Sequence, residues 1–168
     1  LRAAQNADTF QQGTKNLLAV IDNSVFLGTL ELRQTYSEFA NDVAQSGSAP
    51  LYIRREVVDQ AAEQLQKSIA QEPDNARHYA FLTNLYLTAA SMDPSYADKN
   101  LKIIEQGIAL SPTRTPFYYS LGRVYITKKL YDQASDTFKK AVERSANVPD
   151  AHLKRLAAEI TPNKLQEA

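Results

Sequence analysis

The residues able to do chemistry are few, and their spacing works against it. The two histidines, His78 and His152, stand 74 positions apart with no second ligand at i+4 of either, so a helical zinc motif is missing. His78 is expected to cap or rim its helix. There is no cysteine, which excludes a thiol nucleophile, a disulfide framework and cysteine-based zinc or iron–sulfur sites. The five glycines are isolated, with neither Gly-x-Gly nor Gly-Lys-Ser/Thr, so no familiar phosphate loop is present. Carboxylates such as Glu56, Asp59, Glu63, Asp132 and Asp136 lie at helical spacing among basic residues, where solvated i, i+4 pairing is expected rather than general acid–base work. The sequence therefore reads as non-catalytic, with no metal and no cofactor.

The elements around these residues are helical, because nearly every apolar periodicity has a helix spacing and strict alternation is absent. Helices are predicted over 8–21, 29–44, 50–71, 75–90, 94–110, 115–128, 131–145 and 149–160. The third carries Ile53, Val57, Ala61, Leu65 and Ile69 at intervals of four, an apolar seam more than four turns long. Pro50 suits a first turn, where amides have no internal partner. Turn chemistry at Glu72–Asn75, Met92–Pro94, Ser111-Pro112, Thr115-Pro116 and Val148–Asp150 separates the later helices, with Asp74 or Asn75, Asp93 and Thr115 placed to cap helix starts.

Charge bounds the partners. Nineteen basic residues balance nineteen acidic ones, and 43% hydrophobic with 23% charged residues is an ordinary globular composition. Nucleic acid is not the expected partner. The balance is uneven along the chain: −2 over 1–49, −2 over 50–112 and +4 over 113–168. Lys128-Lys129, Lys139-Lys140 and Lys154-Arg155 fall mostly in C-terminal halves of helices, where cations complement the helix dipole, or else form a docking face for an acidic partner or lipid head groups. The longest apolar runs, such as 17–21, are far below the roughly 18 residues that span a bilayer. The chain opens at Leu1 rather than Met, and the expectation is that it was excised or processed from a longer polypeptide.

Self-similarity gives the organisation. At an offset of 39, Tyr79, Leu82 and Tyr86 recur as Tyr118, Leu121 and Tyr125. At an offset of 34, Asn100, Ile104 and Gly107 become Ala134, Phe138 and Ala141. The difference of five is placed in 90–96. The pattern Tyr118-x2-Leu121-Gly122-x2-Tyr125, then Ala134-x3-Phe138-x2-Ala141, resembles the tetratricopeptide repeat, a helix-turn-helix unit of 34 residues. The preceding unit follows it with Thr83 in place of the glycine and Asn100 in place of the small residue. Before that, Ala61-x3-Leu65-x2-Ser68 with Pro73 matches only a second helix, which the helix at 29–44 could partner.

The resemblance implies an all-α fold, an α-solenoid of stacked antiparallel helix hairpins. Its expected division is 1–49 divergent N-terminal helices, 50–74 the long helix of a degenerate repeat, 75–112 a unit with a five-residue insertion, 113–148 a further unit, and 149–168 a capping helix and tail. Gly122, Ala134 and Ala141 are expected contact points, with Tyr118, Leu121, Tyr125 and Phe138 filling the facing holes. Ala151, Leu153, Leu156 and Ile160 fall to the closing helix. A narrower stretch, 17–34 with Glu31-Leu32-Arg33-Gln34, is similar to one in bacterial O-antigen ligase-like membrane proteins, one residue short of their pattern. That likeness would make this chain the soluble tail of a membrane protein.

In the repeat family the first helix of each unit lines a concave groove through its fifth, ninth and twelfth residues. Carried to this chain, those positions are Ala80, Asn84 and Leu87, then Tyr119, Arg123 and Ile126. The family's carboxylate clamp has a lysine where Ala80 stands, so a different protein or peptide ligand is expected. Asn84 and Arg123 would hydrogen-bond a peptide backbone or carboxylate beside Tyr119. The alternative is a structural module that self-associates through the helix at 51–71 or its basic end.

Overall fold

The computed structural model describes residues 2–24 and 28–144, with side chains from Asp8 onward. Among them are seven helices and no strand: α1 (Arg2–Asn23), α2 (Thr29–Gln45), α3 (Leu51–Gln71), α4 (Ala76–Ala89), α5 (Ser95–Leu110), α6 (Thr115–Thr127) and α7 (Tyr131–Arg144). The expected helix at 149–160, with Ala151, Leu153, Leu156, Ile160 and His152, lies outside the described residues.

The helices pack as three consecutive hairpins, α2–α3, α4–α5 and α6–α7, with α1 laid against α2 and α3. Each hairpin's second helix also packs on the next hairpin's first, α3 on α4 and α5 on α6. The first helices form one layer, α4 touching both α2 and α6. This is an all-α solenoid of stacked hairpins, in which each unit hides an apolar face that it cannot bury alone.

Local chemistry sets the boundaries. Asn75 caps α4 by accepting from the Arg77 amide at 3.1 Å. Asp93 accepts from the Ser95 amide at 3.0 Å at the start of α5. Thr115 does not cap: it is already helical, and Arg114 holds the cap position without a side-chain bond. Pro50 stands at the cap of α3, one residue before the first turn, with its carbonyl accepting from the Arg54 amide. At the far end of α2 the Arg54 guanidinium donates to the Ala44 carbonyl, placing a cation on a helix C-terminus.

Close approach of the layers depends on glycine. The Phe138 ring of α7 lies over Gly122 of α6, and the Phe117 ring of α6 over Gly107 of α5. Ala134 and Ala141 are fully buried beside Phe138, while Leu121 and Tyr125 are only half-buried. One core runs from Ile21 to Val124 through the first five helices and the near face of α6. A second, small one joins Tyr118, Ala134, Phe138 and Ala141 in the last hairpin.

The segment between α4 and α5, where the repeat offsets place five extra residues, is tied down rather than slack. Asp93 within it forms an ion pair with Arg55 of α3 at 3.0 Å. Just after it, Tyr96 is buried, set 5.9 Å from the Tyr86 ring, with its hydroxyl donating to Asp59 Oδ1 at 3.1 Å. Burial, and then the neighbouring Asp59 charge, push the Tyr96 hydroxyl well above the ordinary tyrosine range.

Candidate functional site

The expected groove residues sit on α4 and α6, neighbours in the layer of first helices. Asn84 and Arg123 are exposed, and Ala80, Leu87, Tyr119 and Ile126 are half-buried. Leu87 and Ala80 pack against the main core, and Ile126 and Tyr119 against the small one, so these four form the edge of the interior as well as a surface. The Arg123 guanidinium stands over the Tyr119 ring at 5.9 Å, one turn away on α6. Tyr119 in turn meets Phe138 edge to face at 6.1 Å. Tyr119 and Arg123 are thus brought together, a cation held over an anchored aromatic wall. Asn84 stands on the adjacent helix.

The same layer continues onto α2, which the repeat spacing did not place. Between α2, α3 and α4 lies a recess of about 250 Å³ lined by Glu31, Gln34, Glu72, Arg77, His78 and Phe81, among others. Arg77 donates to Gln34 Oε1 at 2.9 Å and holds its guanidinium 5.6 Å from the Phe81 ring, the same cation-over-ring pairing found on α6. His78 is 7% exposed and does not merely rim its helix: its Nε2 lies 2.9 Å from Glu72 Oε2, which also accepts from Asn75 Nδ2 at 2.7 Å. The Asn75 bond, then the His78 bond, hold the Glu72 carboxyl below its ordinary range. Arg33 is buried beside this recess, donating to Gln71 Oε1 at 2.6 Å near the C-terminus of α3. The cue that was present in the sequence is the Arg77-x3-Phe81 spacing, which mirrors Tyr119-x3-Arg123.

The carboxylates are dispersed. Glu63 pairs with Lys67 at 2.9 Å and Asp136 with Lys139 at 3.4 Å on their own helices, whereas Asp59 reaches across to Lys99 of α5 at 3.4 Å. Lys128 is bonded to Asp98, which engages part of the basic end. No group of three or more potential metal ligands occurs among the described residues. No helix among them is long and apolar enough to cross a membrane.

Residues 115–148, spanning α6 and α7, match the tetratricopeptide repeat family. No curated protein matches the chain significantly. Among solved structures the chain is similar to a thermophilic tetratricopeptide repeat protein of Thermus thermophilus, at 19% identity and a TM-score of 0.56, over 92% of this chain and 85% of that one. At that identity the likeness concerns fold, and it extends the repeat architecture beyond the one matched unit.

Proposed function

We propose that the chain is a non-catalytic interaction module that holds a peptide segment of a partner protein against the layer of first helices, at Asn84, Leu87, Tyr119, Arg123 and Ile126. The observation that carries this is the Arg123–Tyr119 pair: an exposed guanidinium, kept over a ring that is itself packed on Phe138, is a preorganised donor for a carboxylate or backbone carbonyl. Proteins of the repeat family generally bind other proteins, and the half-buried Leu87 and Ile126 supply an apolar floor beside the donors. Capture from native membranes with wild-type and Arg123→Ala/Asn84→Ala chains tests the assignment. Capture of a partner by wild type and its loss in the double variant is expected; equal capture by both would overturn it.

As part of the same proposal, the module is the soluble portion of a bacterial membrane protein of O-antigen ligase type. That parentage rests on the 17–34 motif alone; the family match lies elsewhere in the chain, and the likeness to the Thermus protein does not bear on it. The sequence upstream of Leu1 tests it, and apolar segments of about 20 residues there are the expected result.

A second reading is self-association that positions the parent protein. It is favoured by the adjacent Leu51 and Tyr52 at the start of α3, two large apolar side chains that are 44% and 62% exposed.

A further inference from the structure

We infer that the cleft between α3 and α5 is the face through which two copies of this chain pair about a two-fold axis. This inference rests on the self-association reading and names its surface. The cleft, about 440 Å³, has Tyr86 of α4 at its base. Its α3 wall carries Asp59, Ala62, Glu63 and Gln66, and its α5 wall Lys99, Lys102 and Ile103. One wall is therefore acidic and the other basic. Asp59 and Lys99 are joined across it at 3.4 Å with both side chains about half exposed, so that pair gains little from solvent-screened attraction.

The two helices run in the same direction, since Arg55 meets Asp93 while Asp59 meets Tyr96 and Lys99. A face with acid along one parallel helix and base along the other is complementary to itself under one choice of axis. An isologous contact requires that residue i meet residue j and j meet i. A two-fold axis along the cleft lays α3 of one copy over α5 of the other at equal height. Glu63 then faces Lys102 of the second copy, and Asp59 faces its Lys99, each twice. An axis across the cleft would stack α3 on α3, acid on acid, so the charges select the first arrangement.

Apolar surface adds to this. Tyr52 lies seven residues before Asp59, on the same side of α3, where an exposed aromatic can anchor a contact. The face is small: a 16-residue α5 is about 24 Å long, and two helices side by side are about 20 Å wide. That gives roughly 500 Å² per copy, at the low end for specific association, so the dimer is concentration-dependent. The groove residues on α4 and α6 belong to the opposite layer and stay open in such a pair.

Sedimentation equilibrium of the whole chain over a micromolar-to-millimolar series tests the inference. The mass is expected to rise from 18.7 kDa toward twice that value. Glu63→Lys or Lys102→Glu alone, both at exposed positions, should weaken the dimer at least about tenfold. A mixture of the two variants, or the chain carrying both changes, should restore it, because acid again faces base. Unchanged circular dichroism spectra and melting temperatures keep folding out of the comparison. A wild type that stays monomeric throughout overturns both the inference and the self-association reading. A dimer indifferent to both reversals, or variants that do not rescue one another, overturns the inference and leaves self-association standing through another face.

Discussion

The ring of Phe138 lies so close over Gly122 that a β-carbon on the glycine would stand 2.5 Å from its Cζ. Phe117 bears on Gly107 in the same way, at 2.4 Å. One pair closes the last hairpin and the other joins it to the hairpin before, so glycine sets the spacing both within and between units. Gly122→Ala and Gly107→Ala should each lower unfolding free energy by about 1–3 kcal/mol, since the ring has to leave its position in a packed core. This outweighs the roughly 1 kcal/mol that alanine gains over glycine in a helix. Gly47, with nothing within 4 Å of its added β-carbon, is the control and should shift stability by under about 0.5 kcal/mol in the same urea titration.

Tyr79 and Tyr118 each donate to a proline carbonyl six residues earlier, Pro73 at 3.0 Å and Pro112 at 2.8 Å. The Pro112 carbonyl also accepts from Arg144 Nη1 at 3.0 Å, and the same guanidinium stands over the Tyr118 ring. Tyr79→Phe should therefore cost about 1 kcal/mol and Tyr118→Phe roughly half as much, because Pro112 keeps a donor. Thermal melts of the two variants give the order directly, and equal losses would show that Arg144 does not share the load.

The turn from α6 to α7 places Lys129 at φ 59°, in the left-handed region. The Leu130 amide bonds to the Tyr125 carbonyl at 2.8 Å and the Lys129 amide to Ile126 at 2.9 Å, the paired bonds of a helix stop that favours glycine. Lys129→Gly should raise stability by about 1 kcal/mol by relieving the steric cost of that conformation. Chemical denaturation measures it; a loss would show that the lysine side chain holds the turn by contacts that outweigh its strain.

Acid should weaken the fold through two carboxyls. Glu72 is held below its ordinary value chiefly by Asn75 and then His78, and Asp93 below its own chiefly by the Ser95 backbone amide. A depressed folded-state value means that the stabilisation is present above the unfolded values, 4.5 and 3.8, and is lost as pH falls through the lower folded ones. Glu72→Gln and Asp93→Asn should flatten the stability profile below about pH 4.5. At the alkaline end Tyr36, pushed up to about 12 mainly by burial, contributes stability that is complete below pH 10 and lost as pH rises through 12. A melting-temperature series from pH 2 to 12 reads both limbs.

The last two hairpins were legible because their small and large residues recur at fixed offsets, and their helix limits fall within one residue of expectation. The first hairpin's helix limits were also within one residue, and its two helices pair as the sequence allowed, but its repeat register was hidden. Its Tyr36 sends its hydroxyl to Gln60 of α3 at 3.0 Å rather than to a preceding loop carbonyl, and Leu30 stands where the later units have proline, so the marker pair is missing. The two departures from the repeat pattern in the middle unit meet each other: Asn100 Nδ2 donates to the Thr83 carbonyl at 3.0 Å. Neither the Thr83 hydroxyl nor Asn100 Oδ1 finds a hydrogen-bond partner among the described residues. A polar contact thus replaces the small-residue contact, which a search for small residues alone passes over. On the candidate site, Tyr119 and Arg123 could be placed from the repeat register, whereas Gln34 could not, because the register stops where the first hairpin diverges, and Arg77 lies within the register but outside its groove positions.

The division of the interior into a large core and a small one, touched in common by Ile108, has a consequence for how the chain comes apart. A stack of this kind opens in segments whose cost reflects the neighbours each segment covers. Among the described helices, α7 is anchored by the small core alone, while α3 to α5 share the large one. Backbone amides of α7 should exchange with solvent before those of α3 to α5, at a fraction of the global unfolding free energy. The slowest should lie around Leu65, Leu82 and Ile104, so that the hairpin of α6 and α7 opens ahead of the large core rather than together with it.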